Sequence, residues 1–122
     1  MKNKSIINLT SSHRGIGSST FTGRPQGVQV RAELKLDKFD FDKNSYVITI
    51  PEGTISFNPS FYLGLFFKSI KNLNGFKNFS DKYDIQLLES NSELKELLLE
   101  DFDECKRQSE NEFIGKTGID LL

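Results

Sequence analysis

The residues best suited to chemistry are concentrated in one glycine- and serine-rich stretch near the start of the chain. Residues 11–27 read SSHRGIGSSTFTGRPQG, with four glycines, four serines, two arginines and the only histidine. Glycine leaves backbone N–H groups accessible, and hydroxyl and guanidinium groups add hydrogen-bond donors, so such a stretch can bind an anion. The two standard phosphate-binding patterns are absent, because no Gly-Lys-Ser/Thr closes the stretch and the third glycine stands at the wrong spacing. A phosphate or nucleotide ligand would use Arg14, Gly15, Gly17, Arg24 and Arg31.

Nucleophilic catalysis has two candidate side chains, Ser60 and His13. Ser60 stands at the start of a predicted helix, where a nucleophile can be exposed. The nucleophile-elbow pattern G-x-S-x-G is absent, since the flanking residues are Asn58 and Tyr62. Cys105 is expected to be a small core residue with a raised thiol pKa, because its sequence neighbours are acidic. No base–nucleophile pair is visible, so the sequence predicts no catalytic residue and an enzyme is the least favoured interpretation.

Metal and cofactor sites are not predicted. The acidic stretches at 37–42 and 100–104 lack the spacing and the central glycine of a calcium loop. A single cysteine, Cys105, allows neither an intramolecular disulfide nor a cysteine-based zinc site. We expect both acidic stretches to be solvated faces of the protein.

Charge is unevenly distributed along the chain, although its sum is close to neutral. The formal net charge is −1, which argues against a general binder of nucleic acid. Residues 1–35 carry six Lys/Arg against one Glu, whereas residues 89–112 carry nine Asp/Glu against three Lys/Arg. The two regions are expected to form oppositely charged faces that attract each other.

Length and composition indicate one globular domain in the cytoplasm. The 122 residues suffice for a single hydrophobic core, in which eleven phenylalanines supply much of the volume. The basic start of the chain is followed by an apolar core too short for a signal peptide. No apolar run approaches the ~18 residues that a membrane span requires. We therefore expect a cytoplasmic protein that does not contact a membrane.

Apolar patterns predict strands that alternate with helices. Short β-branched runs predict strands at 4–10, 45–50 and 82–89, with a further extended piece at Ile55–Phe57. This alternation is typical of an α/β fold with a partly parallel sheet.

Two helices are predicted with specific starts. The first would be capped by Asn58, with Pro59 in the first helical position. Its Gly64 is expected where another backbone or a strand comes close, because glycine otherwise destabilises a helix interior. The second would begin at a capping box formed by Ser90 and Glu93, with Ser92 as the alternative cap. The stretch GFKNFS between them is interpreted as a loop.

The segment 28–38 is ambiguous on pattern alone. Its apolar residues alternate with polar ones, as in a half-buried strand, whereas its residue types favour a helix. The alternating residues are Val28, Val30, Ala32, Leu34 and Leu36.

The domain organisation follows from these elements. We expect one α/β domain at 1–108, with the long Gly/Ser loop at 11–27. A C-terminal tail at 109–122 contains two glycines and a final apolar patch, and it could dock back onto that domain.

Two stretches in the middle of the chain, TGRPQGVQVRAEL and YVITIPEGTISFNPSFYLGLFFKSI, carry a family resemblance. They resemble the STAS-like domains of bacteria, which are distant relatives of the anti-sigma-factor antagonists. The resemblance covers roughly residues 20–75 and implies that 28–38 is a helix. It also implies a STAS-like small mixed sheet of about four strands flanked by about three helices. The matching positions are Gly23, Arg24, Gly27, Arg31, Ser60, Phe61, Leu65 and Phe66.

The resemblance implies a regulatory module that acts through protein–protein interaction. In the anti-sigma-factor antagonists a kinase partner phosphorylates the second serine of a D-S-S-G motif, and the added charge releases the partner. Here Pro59 replaces the aspartate, Ser60 keeps the first serine and Phe61 replaces the phosphorylated one, so this switch is not visible. The implied partner is a histidine-kinase-like ATPase or another component of a bacterial or phage stress or defence system.

Two interpretations of the loop at 11–27 remain open, a partner-binding loop and an anion-binding loop. This loop and the turn at 54–60 both precede helices, so we expect them at the same end of the sheet. Association into a homo-oligomer is also left open. The residues predicted to bind a partner are Arg14, Phe21, Arg24, Phe57, Ser60 and Phe61, with the phenylalanines exposed as aromatic contacts.

Overall fold

The computed structural model describes residues 4–15 and 17–117, and it places two small parallel sheets beside one layer of helices. The larger sheet has the order β1 (Lys4–Asn8), β3 (Ser45–Ile50) and β5 (Tyr83–Leu87). The smaller sheet pairs β2 (Thr20–Phe21) with β4 (Ser56–Phe57). Among the described residues there are three strand pairings, and every strand in them except β2 was predicted to be extended.

The helices that connect these strands are more numerous than predicted. They are α1 (Arg24–Leu34), α2 (Leu36–Asp40), α3 (Pro59–Asn72), α4 (Phe76–Lys82) and α5 (Ser92–Thr117), together with a 3-10 helix at Ser11–Arg14. The α/β class is confirmed. The prediction of one mixed sheet of about four strands and about three helices is wrong in its counts, because the described residues form two all-parallel sheets and five α-helices.

The three-stranded sheet has one face in the core. Ile7, Ile48 and Ile85 stand side by side in the register and belong to the core or pack against it. The neighbouring row starts with Ile6, which is 63% exposed. Side chains alternate along a strand, so Ile6 and Ile7 lie on opposite faces of the sheet. The helices cover the face that carries Ile7 and leave the face that carries Ile6 uncovered.

The ambiguous segment is helical, as the resemblance implied. The helix begins earlier than predicted, at Arg24, and Lys35 breaks it with a left-handed φ of 61°. Val30 and Leu36 are buried, whereas Val28 is 53% exposed. The strict alternation therefore does not describe one buried face, since its members point to different sides of two short helices.

Helices α1 and α3 touch through two glycines. A Cβ atom on Gly64 would lie 2.2 Å from the carbonyl oxygen of Arg24, and one on Gly27 would lie 2.3 Å from that of Phe61. The prediction that a backbone comes close at Gly64 is confirmed, and the approaching backbone is that of another helix. This contact brings the amino-terminal ends of α1 and α3 together.

Two local predictions are wrong. The stretch GFKNFS is not a loop, because it forms most of α4 and buries Phe79 in the core. The cap of α5 is neither Ser90 nor Ser92, which is the first helical residue: the side chain of Asn91 accepts a hydrogen bond from the amide of Leu94 at 2.9 Å. Helix α5 runs without a break across the boundary predicted at 108–109, and residues 118–122 of the expected tail lie outside the described residues.

Candidate functional site

The glycine-serine loop and the turn after β3 lie together, as predicted. Strands β2 and β4 pair in parallel, the amide of Ile55 donates to the carbonyl of Ser19 at 2.8 Å, and the amide of Asn58 donates to that of Phe21 at 2.8 Å. Both segments follow the carboxyl ends of strands β1 and β3, which is the end of a parallel sheet where ligands commonly bind. We call residues 10–15, 17–23 and 51–60 together the edge surface.

Arg14 fastens the 3-10 helix to the turn. Its Nη1 donates to the hydroxyl of Thr54 at 2.8 Å, and that hydroxyl donates in turn to the carbonyl of Pro51 at 2.9 Å. The guanidinium carbon lies 6.0 Å from the centre of the Phe21 ring. The Nε of Arg14 is buried and has no hydrogen-bond partner, which is true of no other buried side-chain nitrogen or oxygen in the described part of the chain.

His13 takes part in a local turn. Its Nδ1 accepts a hydrogen bond from the amide of Thr10 at 3.0 Å, so the neutral ring carries its proton on Nε2. The hydroxyls of Thr10 and Ser12 lie 2.7 Å apart in the same turn. These contacts give the histidine a structural role at the start of the 3-10 helix.

Ser60 joins the starts of α1 and α3. Its hydroxyl donates to the side-chain oxygen of Asn58 at 2.6 Å and accepts from the amide of Gly23 at 3.1 Å. The Asn58 oxygen also accepts from the Ser60 amide at 2.8 Å, which confirms the predicted cap. Ser60 and His13 have different hydrogen-bond partners, so the structure does not assemble them as a nucleophile and its base.

The three phenylalanines predicted to be exposed partner contacts are buried, and that prediction is wrong. Phe21, Phe57 and Phe61 each have 0% exposure. Their ring centres lie 5.0 to 5.2 Å apart, in the range of favourable aromatic packing. The cause is the register of β2 with β4, which sets Phe21 beside Phe57 and turns both toward the first turn of α3. These three rings form the part of the hydrophobic core on which the edge surface packs.

The arginines predicted to bind an anion do not converge. Arg31 is 5% exposed and donates to Asp37, Asp40 and Ser69 at 2.6 to 2.7 Å, so its place in a ligand site is wrong. Arg24 donates to Glu112 at 2.7 Å, and this hydrogen bond raises the pKa of Arg24. Only Arg14 belongs to the edge surface.

A buried polar network, which the sequence did not predict, holds α1, α2, α3 and β5 together. Asp40 has a fully buried side chain and accepts hydrogen bonds from four residues at 2.6 to 3.0 Å. Burial, followed by the hydrogen bond to Asp40, raises the pKa of the Tyr83 hydroxyl. The hydrogen bond from Arg31 lowers the pKa of the exposed Asp37. We call it the Arg31 network; its members are Arg31, Asp37, Asp40, Ser69, Asn72 and Tyr83.

Cys105 lies in the core, as predicted. It is fully buried, and burial raises the pKa of its thiol to about 12, with a further contribution from Asp101. Its Sγ lies 3.6 Å from the carbonyl oxygen of Phe57. The thiol therefore stays protonated near neutral pH.

The exposed apolar residue of the edge surface is Ile55, which the sequence analysis did not single out. It is 53% exposed, although Thr54 before it and Phe57 after it are completely buried. At the same end of the sheet Leu88 is 44% exposed, and its amide donates to the carbonyl of Ile50 at 3.0 Å. The carboxylate of Glu89 accepts from the amide of Gly53 at 2.9 Å, which lowers the pKa of Glu89.

Comparisons of the chain with protein-family models, with curated proteins and with solved structures find no match. The resemblance to STAS-like domains therefore stays a prediction. Within 4–15 and 17–117, no three His, Cys, Asp or Glu residues are grouped so that they could hold a metal ion. Of the helices in that part of the chain, none combines the length and the apolarity needed to cross a membrane.

Proposed function

We propose that this chain is a non-enzymatic regulatory or assembly module that binds a protein partner with its edge surface. The observation that carries the proposal is Ile55, an exposed apolar side chain on a turn that is braced on both sides. Its own amide donates a hydrogen bond to the carbonyl of Ser19, and the hydroxyl of the adjoining Thr54 accepts one from Arg14.

This arrangement suits recognition of a protein. A side chain on an ordered turn loses little conformational freedom when a partner covers it, so less of the contact energy is spent on ordering. Protein interfaces combine an apolar centre with a polar rim, and Ile55 is surrounded in sequence by the exposed Glu52 and Gly53 and the half-buried Ser56 and Asn58. By resemblance, the partner is a histidine-kinase-like ATPase or another component of a bacterial or phage stress or defence system, in the cytoplasm.

The test compares Ile55→Glu with Phe41→Glu. Phe41 is 71% exposed and precedes β3, so it lies toward the opposite end of the sheet and makes a matched control. Proteins captured from cells of the source organism are identified, and the affinity of the purified partner for each variant is then measured by calorimetry. We expect Ile55→Glu to weaken binding at least about tenfold, equal to ~1.4 kcal/mol, and Phe41→Glu to leave it unchanged. Equal affinity of wild type and Ile55→Glu, or capture of no partner, would contradict the proposal.

We infer a second candidate function, binding of a phosphate or nucleotide, from the unpartnered Nε of Arg14. Gly15 and Gly17 follow it with φ angles of 91° and 73°, and nothing lies within 4 Å of a Cβ built on either residue. Melting temperatures with inorganic phosphate and a panel of nucleotides test this candidate. A ligand at a hundred times its Kd stabilises the protein by ~2.7 kcal/mol, and Arg14→Met should abolish the shift. If no anion shifts the melting temperature of the wild type, this candidate is wrong.

A further inference from the structure

A shallow basic groove runs between the outer sides of α1 and α3. Its volume is about 300 Å³, and its apolar lining includes Val28, Ala32, Leu63 and Phe67. Val28 is 53% exposed, whereas Phe67 is 4% exposed and forms part of the floor.

Four cations line this groove, and three carboxylates pair with them: Asp37 with Arg31 and Lys68, the buried Asp40 with Arg31, and Glu112 with Arg24. The side chain of Lys68 is 57% exposed and Lys71 is exposed, so the positive charge that a partner can reach lies mainly on these two lysines. The guanidinium of Arg24 lies 5.6 Å from the centre of the Phe67 ring, and the ammonium of Lys71 lies 5.4 Å from it. The four cations are Arg24, Arg31, Lys68 and Lys71.

The first half of α5 carries the opposite pattern. Residues 92–104 contain six Asp/Glu and one Lys. Leu97 is 55% exposed, and Glu93 and Glu100 stand one turn before and after it on the same side of the helix. Glu96 is exposed beside them. We call these four residues the acidic stripe: an exposed apolar side chain ringed by carboxylates, as the groove is an apolar floor ringed by cations.

One cation that lines the groove, Arg24, is already paired with a carboxylate of α5. Glu112, near the other end of that helix, takes two hydrogen bonds from Arg24 at 2.7 and 3.2 Å. The acidic stripe cannot do the same within one molecule, because the carboxylate of Asp101 accepts from the Phe57 amide at 3.0 Å and holds this part of α5 beside β4. Only the stripe of another copy can reach the groove.

We propose that this chain associates with a second copy of itself by placing the acidic stripe of one copy in the basic groove of the next. The two surfaces differ, so the contact is heterologous and each copy keeps one free stripe or one free groove. Such a contact continues head to tail unless the geometry closes a ring. It is independent of the proposed function, because neither the groove nor the stripe includes a residue of the edge surface.

Charge reversal on each side tests this contact. Lys68→Glu/Lys71→Glu makes the groove acidic, and Glu96→Lys/Glu100→Lys makes the stripe basic. Sedimentation equilibrium over a concentration series is run at low and at high salt, with thermal melting of each variant to confirm that it folds. Wild type should exceed the 13.9 kDa mass of the monomer at low salt and return toward it at high salt, since salt screens exposed charges. Each reversed variant alone should stay monomeric.

Mixing the two reversed variants gives the decisive result. Each copy then meets a partner of opposite charge on both of its surfaces, so association should return to the wild-type level. Lys43→Glu/Lys77→Glu carries the same change in net charge on exposed lysines elsewhere and should associate like wild type. A monomeric wild type at low salt, association of either folded variant alone, or a mixture that stays monomeric would each overturn the proposal.

Discussion

The Arg31 network and the edge surface both tie distant segments together with polar groups, but they do so differently. In the network, a fully buried carboxylate on Asp40 receives hydrogen bonds from Arg31, Ser69, Asn72 and Tyr83. In the edge surface, Arg14 leaves its buried Nε without a partner and Ile55 stands exposed. The Arg31 network pairs its buried charges completely. The edge surface instead keeps a hydrogen-bond donor without a partner and an exposed apolar side chain on an ordered turn.

This difference separates stability from recognition. A buried charge whose partners are all present is costly to disturb, because removal of one leaves the others unpaired in a medium of low polarity. An exposed contact on a braced turn costs little to change, since water replaces what the protein loses. We therefore expect large stability effects in the network and smaller, local ones at the edge surface.

The largest effect should come from Asp40→Ala. It leaves the Arg31 guanidinium short of its buried partner, so we expect a loss of ~3–5 kcal/mol in the free energy of unfolding, measured by urea denaturation. The control is Asp37→Ala, which removes a second carboxylate from Arg31, but one with a side chain 59% exposed. It should cost less than ~1 kcal/mol. Equal losses would show that burial does not distinguish the two ion pairs.

A smaller loss is expected at the contact between α1 and α3. Gly64→Ala places a Cβ against the backbone of Arg24, so the helices must move apart at a cost of ~1–3 kcal/mol, read from the same denaturation curves. Gly115→Ala, also in a helix, meets nothing within 4 Å and should instead stabilise the protein by up to ~1 kcal/mol. If both variants gain stability, the close helix contact is not maintained in solution.

The smallest effect should come from Thr54→Val in the edge surface. The change keeps the shape of the side chain but removes the acceptor for Arg14 and the donor to Pro51, at a cost of ~1–2 kcal/mol. Hydrogen exchange should become faster in the 3-10 helix at Ser11–Arg14 while the core amides remain protected. Thr22→Val, on an exposed residue, should change neither quantity. Faster exchange across the whole sheet would mean that this region is not an independent local unit.

The sequence predicted those parts of the molecule whose signal is local. Strand β3 at 45–50 was predicted with its correct ends, because its β-branched and aromatic residues are continuous. Asn58, Pro59 and Gly64 were interpreted correctly because a cap, a first-turn proline and a helical glycine each have a cause within a few residues.

The parts that the sequence did not predict depend on distant pairing. The exposure assigned to Phe21 and Phe57 was wrong, because only the pairing of two two-residue strands buries them together. Arg31 was predicted to be available to a ligand, because the residues near it in the sequence do not indicate that Ser69 and Tyr83 join it around Asp40. Ile55 could not be singled out from the sequence, because the hydrogen bond that orders its backbone is made with the distant Ser19.

The parallel pairing of every described strand also bears on how the chain folds. Lys4 pairs with Ser45, and Tyr46 pairs with Tyr83, so no two neighbouring strands are joined by a tight turn. A parallel pair requires a crossover connection, here built from helices, before its hydrogen bonds can form. The sheet therefore cannot start from a local hairpin, and its assembly must wait until α1 and α3 have brought remote segments together. Pairing between segments this far apart in the chain is slow to form, so β1, which is synthesised first, stays unpaired at least until β3 has been made.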